Sequence, residues 1–194
     1  PGIVDKGGYR HFMEKEIHEQ PETISHTISE MYNANGEMSE KLNEITKKNP
    51  NSITFLAAGT SYYAGLIAKY WIESLCKIPV NVEIASEYRY RDPLVEEGTL
   101  FVTISQSGET ADTLAALRYA QEKDYLSTLS ICNVPTSSLA RESDFFLYTN
   151  AGPEVGVAST KAFSTQLTGL MLLVLSLAKS RKMNPKLRER VITA

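Results

Sequence analysis

Five short apolar runs, separated by stretches of helical pattern, constrain this chain more than any other feature. They are 53–59 (ITFLAAG), 80–85 (VNVEIA, opened by Pro79), 100–105 (LFVTIS), 127–133 (STLSICN) and 145–149 (FFLYT). After the first, Ala64, Ile67, Ala68, Trp71 and Leu75 recur at steps of three and four, which marks one buried helix face. Leu114, Leu117 and Tyr119 or Ala120 mark another helix. A brief helix fits 137–142, and a long one runs over about 160–179. Strands parted by helices require right-handed crossovers and a parallel sheet covered on both faces. The expected fold is α/β: a three-layer sandwich, a five-stranded parallel sheet flanked by helices, with an N-terminal helical extension.

That extension is residues 1–50, which are more polar than the rest. Residues 12–32 read as helical, with Pro21 opening a second helix after Gln20. Residues 33–50 read as a short helix between loops. The α/β domain spans 51–182, and 183–194 starts a linker. The ending KLRERVITA has neither cap nor strand, as expected of a cut inside a longer protein; a natural C-terminal helix is the other reading.

Hydrophobic residues make up 42% of the 194, enough for a core, and the net charge of −3 argues against non-specific nucleic-acid binding. No run of ~18 apolar residues suggests a membrane span. The densest stretch, 170–178, is interrupted by Ser176 and reads as a buried helix. The start, PGIVDKGGYRHF, lacks the apolar core of a signal peptide. Cys76 and Cys132 sit in apolar settings with no metal spacing, as buried free thiols of a cytoplasmic protein would; a catalytic cysteine is the alternative. His11, His18 and His26 are spaced too widely for a metal site on one helix. No metal and no organic cofactor are implied.

In a parallel sheet, ligands bind beyond the carboxyl ends of the strands. Three polar segments fall there. The first, Ser105-Gln106-Ser107-Gly108, joins a strand to a helix. Its hydroxyls, with Thr110, and the open N–H groups of the helix start suit a compact anion. No lysine is present, so this is not the nucleotide-binding P-loop. Glu109 and Asp112 repel a dianion unless they point away. The second, Ala58-Gly59-Thr60-Ser61, reads as helix capping by Thr60 or Ser61, or as a ligand contact. The third, 150–160, exceeds the usual ~2–6 residues of such a link. Ser159 and Thr160 can cap the long helix, and Val157 can offer backbone groups to a sugar. Glu154 and Lys161 read as acid or base, or as solvated surface groups. Arg89 and Arg91, interleaved with Tyr88 and Tyr90, fit a domain interface or solvated loop, or a phosphate or nucleic-acid contact.

The segments A-G-T-S (58–61), I-A-S-E-Y-R-Y-R (84–91), S-Q-S-G-E-T-A-D-T (105–113), I-C-N-V (131–134) and E-V-G-V-A-S-T-K-A-F (154–163) resemble the sugar isomerase (SIS) domain family. The stretch K-G-G-Y-R-H-F-M-E-K-E-I-H-E-Q-P (6–21) resembles the segment that follows the glutaminase domain in the glucosamine-6-phosphate synthase family, the isomerizing glutamine–fructose-6-phosphate aminotransferases. The likeness is to the first SIS domain of their isomerase part. Ala58 stands where many relatives carry cysteine.

The resemblance implies a share in converting fructose 6-phosphate and glutamine to glucosamine 6-phosphate and glutamate. By position, Ser105, Gln106, Ser107 and Thr110 would grip the phosphate. Thr60 and Ser61 would contact phosphate or sugar, Val157 the sugar through its backbone, and Ser159 would contribute. It implies no catalytic residue in this chain. The glutaminase cysteine has no counterpart behind Pro1. The glutamate, Schiff-base lysine and histidine of isomerisation belong to a second SIS domain or a partner subunit. The implied partners are the phosphosugar, the missing glutaminase and second SIS domains, and a second copy in a homodimer, with no nucleic acid and no membrane. Two rivals are a sugar-phosphate-sensing regulator, disfavoured by the acidic 9–32 segment, and a stand-alone phosphosugar isomerase using Glu154.

Overall fold

A computed structural model describes residues 5–33, 35 and 37–181. The expected linker at 183–194 lies outside the described residues. In chain order the elements are α1 (Phe12–Met31), α2 (Glu40–Lys47), β1 (Ser52–Ala57), α3 (Gly59–Leu75), β2 (Val80–Ile84), α4 (Ala85–Tyr88), β3 (Thr99–Ser105), α5 (Ala111–Gln121), β4 (Ser127–Cys132), α6 (Ser138–Glu142), β5 (Phe145–Tyr148) and α7 (Lys161–Ser180).

All strand pairs are parallel, in the order β2-β1-β3-β4-β5. Every residue of β1, β3 and β4 is buried, as expected of strands covered on both faces. Alternate side chains part to opposite sides. Ile53 and Phe55 join Met31, Leu42, Ala64, Ile72, Leu170 and Val174 beneath α1, α2, α3 and α7. Leu56 and Phe101 join Tyr88, Leu117 and Leu139 beneath α4, α5 and α6. The hydroxyls that punctuate the apolar runs bond one another across strands. Ser52 Oγ lies 2.6 Å from Thr99 Oγ1, and Thr103 Oγ1 lies 2.6 Å from Ser130 Oγ, which removes the cost of burying them.

Two expectations need correction. Pro21 does not open a second helix: α1 runs unbroken through it. The proline lacks the N–H that Ile17 would bond, and Gln20 Nε2 donates to the Ile17 carbonyl instead, at 3.0 Å. The first strand stops at Ala57, and Gly59 already belongs to α3. The short helix α4 had no signal, because four residues cannot show a helical period. Helix α7 is long and apolar enough to cross a membrane, but 67% of its most apolar window is buried inside the protein. It serves as the core helix, with the buried Gln166 and Ser176 placed among its leucines.

Candidate functional site

The chain leaves β1 toward β2 on one side and β3 on the other, so the strand order reverses between β1 and β3. Such a reversal opens a crevice at the carboxyl ends of the strands. Ala57 and Ile104 are register partners there, which sets the turns that follow side by side. The loop before α7 closes the third side. The result is an open cavity of about 290 Å³, lined among others by Thr60, Ser61, Ser105, Gln106, Ser107, Thr110, Glu154, Gly156, Val157 and Ser159. All eight residues singled out in the sequence face this one space.

The turn after β3 is held by its own serines. Ser105 Oγ accepts from Gly108 N–H at 3.0 Å, and Ser107 Oγ accepts from Glu109 N–H at 3.2 Å. Two amides expected to face a ligand are thus already satisfied. Because each oxygen is used as an acceptor, its own hydrogen is left to donate outward. The Ser107 and Thr110 N–H groups have no partner among the described residues. Gly108 has φ +67°, and a Cβ there would overlap Ser137 Oγ and lie 2.7 Å from Cys132 Sγ. The turn therefore needs glycine both for its backbone and for its packing.

The acidic pair beside this turn faces elsewhere. Glu109 Oε1 accepts from Ser138 N–H at 2.7 Å, a backbone bond that holds its carboxyl below the usual range. Asp112 accepts from Arg89 at 3.2 Å. The repulsion anticipated at the start of α5 is spent on the start of α6 and on an arginine.

Thr60 and Ser61 are not caps. The N-cap of α3 is Ala58, which has no side-chain bond to give. Neither hydroxyl of Thr60 or Ser61 has a partner among the described residues, and they stand at the start of a 17-residue helix. Nor do Ser159 and Thr160 cap α7. Glu154 does so: its Oε1 accepts from Thr160 N–H at 2.9 Å and Ala162 N–H at 3.1 Å, and from Thr160 Oγ1 at 3.1 Å. This matches negative charge to a helix N-terminus.

Asn133, at the end of β4, pins the start of the same loop. Its Oδ1 accepts from Ala151 N–H at 2.6 Å, and its Nδ2 donates to the Gly152 carbonyl at 2.7 Å. Val157, fully exposed, stands on the rim.

Residues 44–176 match the family described as the SIS domain. The chain belongs to that family. An isomerizing glutamine–fructose-6-phosphate aminotransferase from Pseudomonas aeruginosa is 56% identical over 183 residues, which are 92% of this chain and 30% of that protein. The C-terminal domain of glucosamine-fructose-6-phosphate aminotransferase from Francisella tularensis superposes with a TM-score of 0.91 at 51% identity, covering 97% of this chain and 53% of that one. A glucosamine-6-phosphate deaminase from Thermotoga maritima is 25% identical with a TM-score of 0.72, over 94% of this chain and 53% of its own. This SIS domain, with its extension, spans about 30% of the length of the curated relatives it matches.

The remaining side chains singled out in the sequence take the following places in the folded SIS domain. Lys161 is no surface group: it is buried, 2.6 Å from Glu19 Oε2 of α1. Arg89 and Arg91 are paired with Asp112 and Glu83, and Tyr88 is a core residue whose hydroxyl meets that of Tyr125 at 2.7 Å. The pattern is that of a structural cluster and not of an anion site. Both cysteines are buried; burial pushes the Cys76 thiol up to about 11 and raises that of Cys132. Neither is a ready nucleophile. No group of three or more His, Cys, Asp or Glu placed to hold a metal occurs among the described residues.

Asn133 was visible in the sequence only as part of the 131–134 resemblance. Glu16, which bonds the loop at Val155 and Gly156, was visible only as part of the 6–21 resemblance and with no role, because its partners lie about 140 residues away.

Proposed function

We propose that this SIS domain holds a sugar phosphate and serves as the phosphosugar-binding part of an enzyme that converts fructose 6-phosphate and glutamine to glucosamine 6-phosphate and glutamate. The observation that carries the reading is the cavity at the β1/β3 reversal. Three separate segments line it with hydroxyl-bearing residues, two of them at the starts of the helices α3 and α5. Its volume of about 290 Å³ is at the small end of ligand sites, in scale with one compact metabolite. Among the described residues, no lysine or arginine lines it. The dianion is met by neutral donors and helix termini, which need no counter-charge.

In this reading Ser105, Ser107 and Thr110 donate to the phosphate, with Gln106 reaching over it and the Ser107 and Thr110 amides beneath. Thr60 and Ser61 donate from the opposite wall to phosphate or sugar. The backbone at Val157, with Ser159, faces the sugar hydroxyls. The named relatives act on fructose 6-phosphate and glucosamine 6-phosphate, which agrees with that division.

Moving a proton between neighbouring sugar carbons needs a free carboxylate or imidazole over them. The one carboxylate lining the cavity among the described residues, Glu154, is committed to the start of α7. The chain accordingly binds the phosphosugar and turns nothing over, the chemistry being supplied by further domains. We place the whole protein in the cytoplasm as a homodimer. The buried free thiols favour the first assignment. The exposed Met13, Ile17, Val155 and Val157 beside the cavity mouth favour a covering surface.

Calorimetric titration with glucosamine 6-phosphate and with glucosamine tests the phosphate role. Binding is expected for the first alone; equal affinity for both overturns it. The presence of Glu154 in the lining favours one second reading, a self-sufficient isomerase. Interconversion of glucose 6-phosphate and fructose 6-phosphate by this chain, abolished in Glu154→Gln, would establish that reading instead.

A further inference from the structure

Helix α1 ends before the matched SIS segment begins, yet it reaches the sugar end of the site. Glu16, on that helix, is only 2% exposed. Its Oε1 accepts from Val155 N–H at 2.6 Å and from Gly156 N–H at 3.1 Å, and its Oε2 also accepts from Gly156 N–H at 3.1 Å. A buried carboxylate is tolerated only where donors converge on it. Here the donors are two successive amides of the 150–160 loop, so the charge and the loop conformation hold each other in place.

The contact is close. A Cβ on Gly156 would come 2.5 Å from Glu16 Oε2, so the carboxylate is seated directly on bare backbone. Asn133 grips this loop at its start and Glu154 at its end. Between them, no other side chain bonds the Val155 or Gly156 amide among the described residues. The next residue is Val157, which lines the cavity.

We propose that Glu16 is a positioning residue that sets the Gly156–Val157 peptide and so governs recognition of the sugar, while the phosphate grip of residues 105–110 stands independently of it. This rests on the phosphosugar reading above. Glutamine is the informative replacement. It keeps the shape of the side chain but removes its charge and replaces one acceptor, such as the Oε2 that receives the Gly156 N–H, by an amide donor.

The test uses the full 194-residue chain, with inorganic phosphate and glucosamine 6-phosphate as probes, in wild type, Glu16→Gln and Glu16→Ala. The expected result is a loss of at least about tenfold in glucosamine 6-phosphate affinity with phosphate affinity unchanged. Equal losses for the two probes, or none, overturn the proposal. Wild-type chain that binds neither probe overturns the site reading itself, and the role of Glu16 with it. Hydrogen exchange supplies a readout free of ligand, and Glu16→Gln suffices for it if the alanine variant does not fold. The Val155 and Gly156 amides should lose protection in the variant while Gly108 keeps its own. Undiminished protection at 155 and 156 also overturns the proposal.

Discussion

Ser105 and Ser107 look equivalent as a pair of turn hydroxyls, but their surroundings separate them. Ser105 is buried and satisfies the buried amide of Gly108, whereas Ser107 satisfies the exposed Glu109. Water can replace the second bond and not the first. Ser107→Ala should therefore weaken phosphosugar binding by about 1.5–3 kcal/mol with little change in melting temperature. Ser105→Ala should lose binding and also about 1–3 kcal/mol of stability, from the orphaned N–H. Calorimetry and thermal unfolding on the same samples distinguish the two; matching stability losses would contradict this division. Gly108→Ala combines a positive φ with overlap on Ser137 and Cys132, and a cost of roughly 2–5 kcal/mol is expected in denaturant unfolding.

Among the elements, α1 behaves least like its sequence. A proline at mid-helix usually ends or kinks it at a cost of about 3 kcal/mol. Here Pro21 is exposed, and the neighbouring Gln20 amide serves the carbonyl that the ring leaves unpaired. The rest of α1 also stays helical, because Thr27 and Met31 are buried within the fold and Thr27 Oγ1 donates to the Thr149 carbonyl at 2.5 Å. Tertiary packing outweighs local propensity. Pro21→Ala should then raise the thermal midpoint, by an amount worth up to about 3 kcal/mol. A fall would mean that the ring itself packs usefully. Helix α7 shows the opposite balance. Its apolar pattern was plain in the sequence, but its N-terminal cap was not. Serine and threonine beside a helix start are the usual signal, and Glu154, six residues before the cap position, takes that place.

At the scale of the molecule, α1 and α7 are joined by one ion pair. Burial raises the Glu19 carboxyl, but the Lys161 and Lys15 ammonium groups outweigh it and hold the value below the ordinary one. A depressed carboxyl stabilises the fold above its unfolded pKa, and the contribution is lost as pH falls through the folded value. Glu19→Gln leaves the buried Lys161 unpaired and should cost on the order of 3 kcal/mol at neutral pH. The gap to wild type should close below about pH 4 in acid unfolding curves; a constant gap would show that the pair does not act electrostatically. The sequence by itself determined the five strands, the helices α3, α5, α6 and α7 and the three polar segments, because hydrophobic period and turn chemistry are written within a few neighbouring residues. It carried the eight candidate contact residues, all of which line the cavity. The strand order that sets β1 beside β3, the turning aside of Glu109 and Asp112, and the reach of Glu16 to Val155 were decided only in the tertiary structure. Each depends on groups far apart along the chain, whose meeting is fixed by how the layers pack and not by any local pattern.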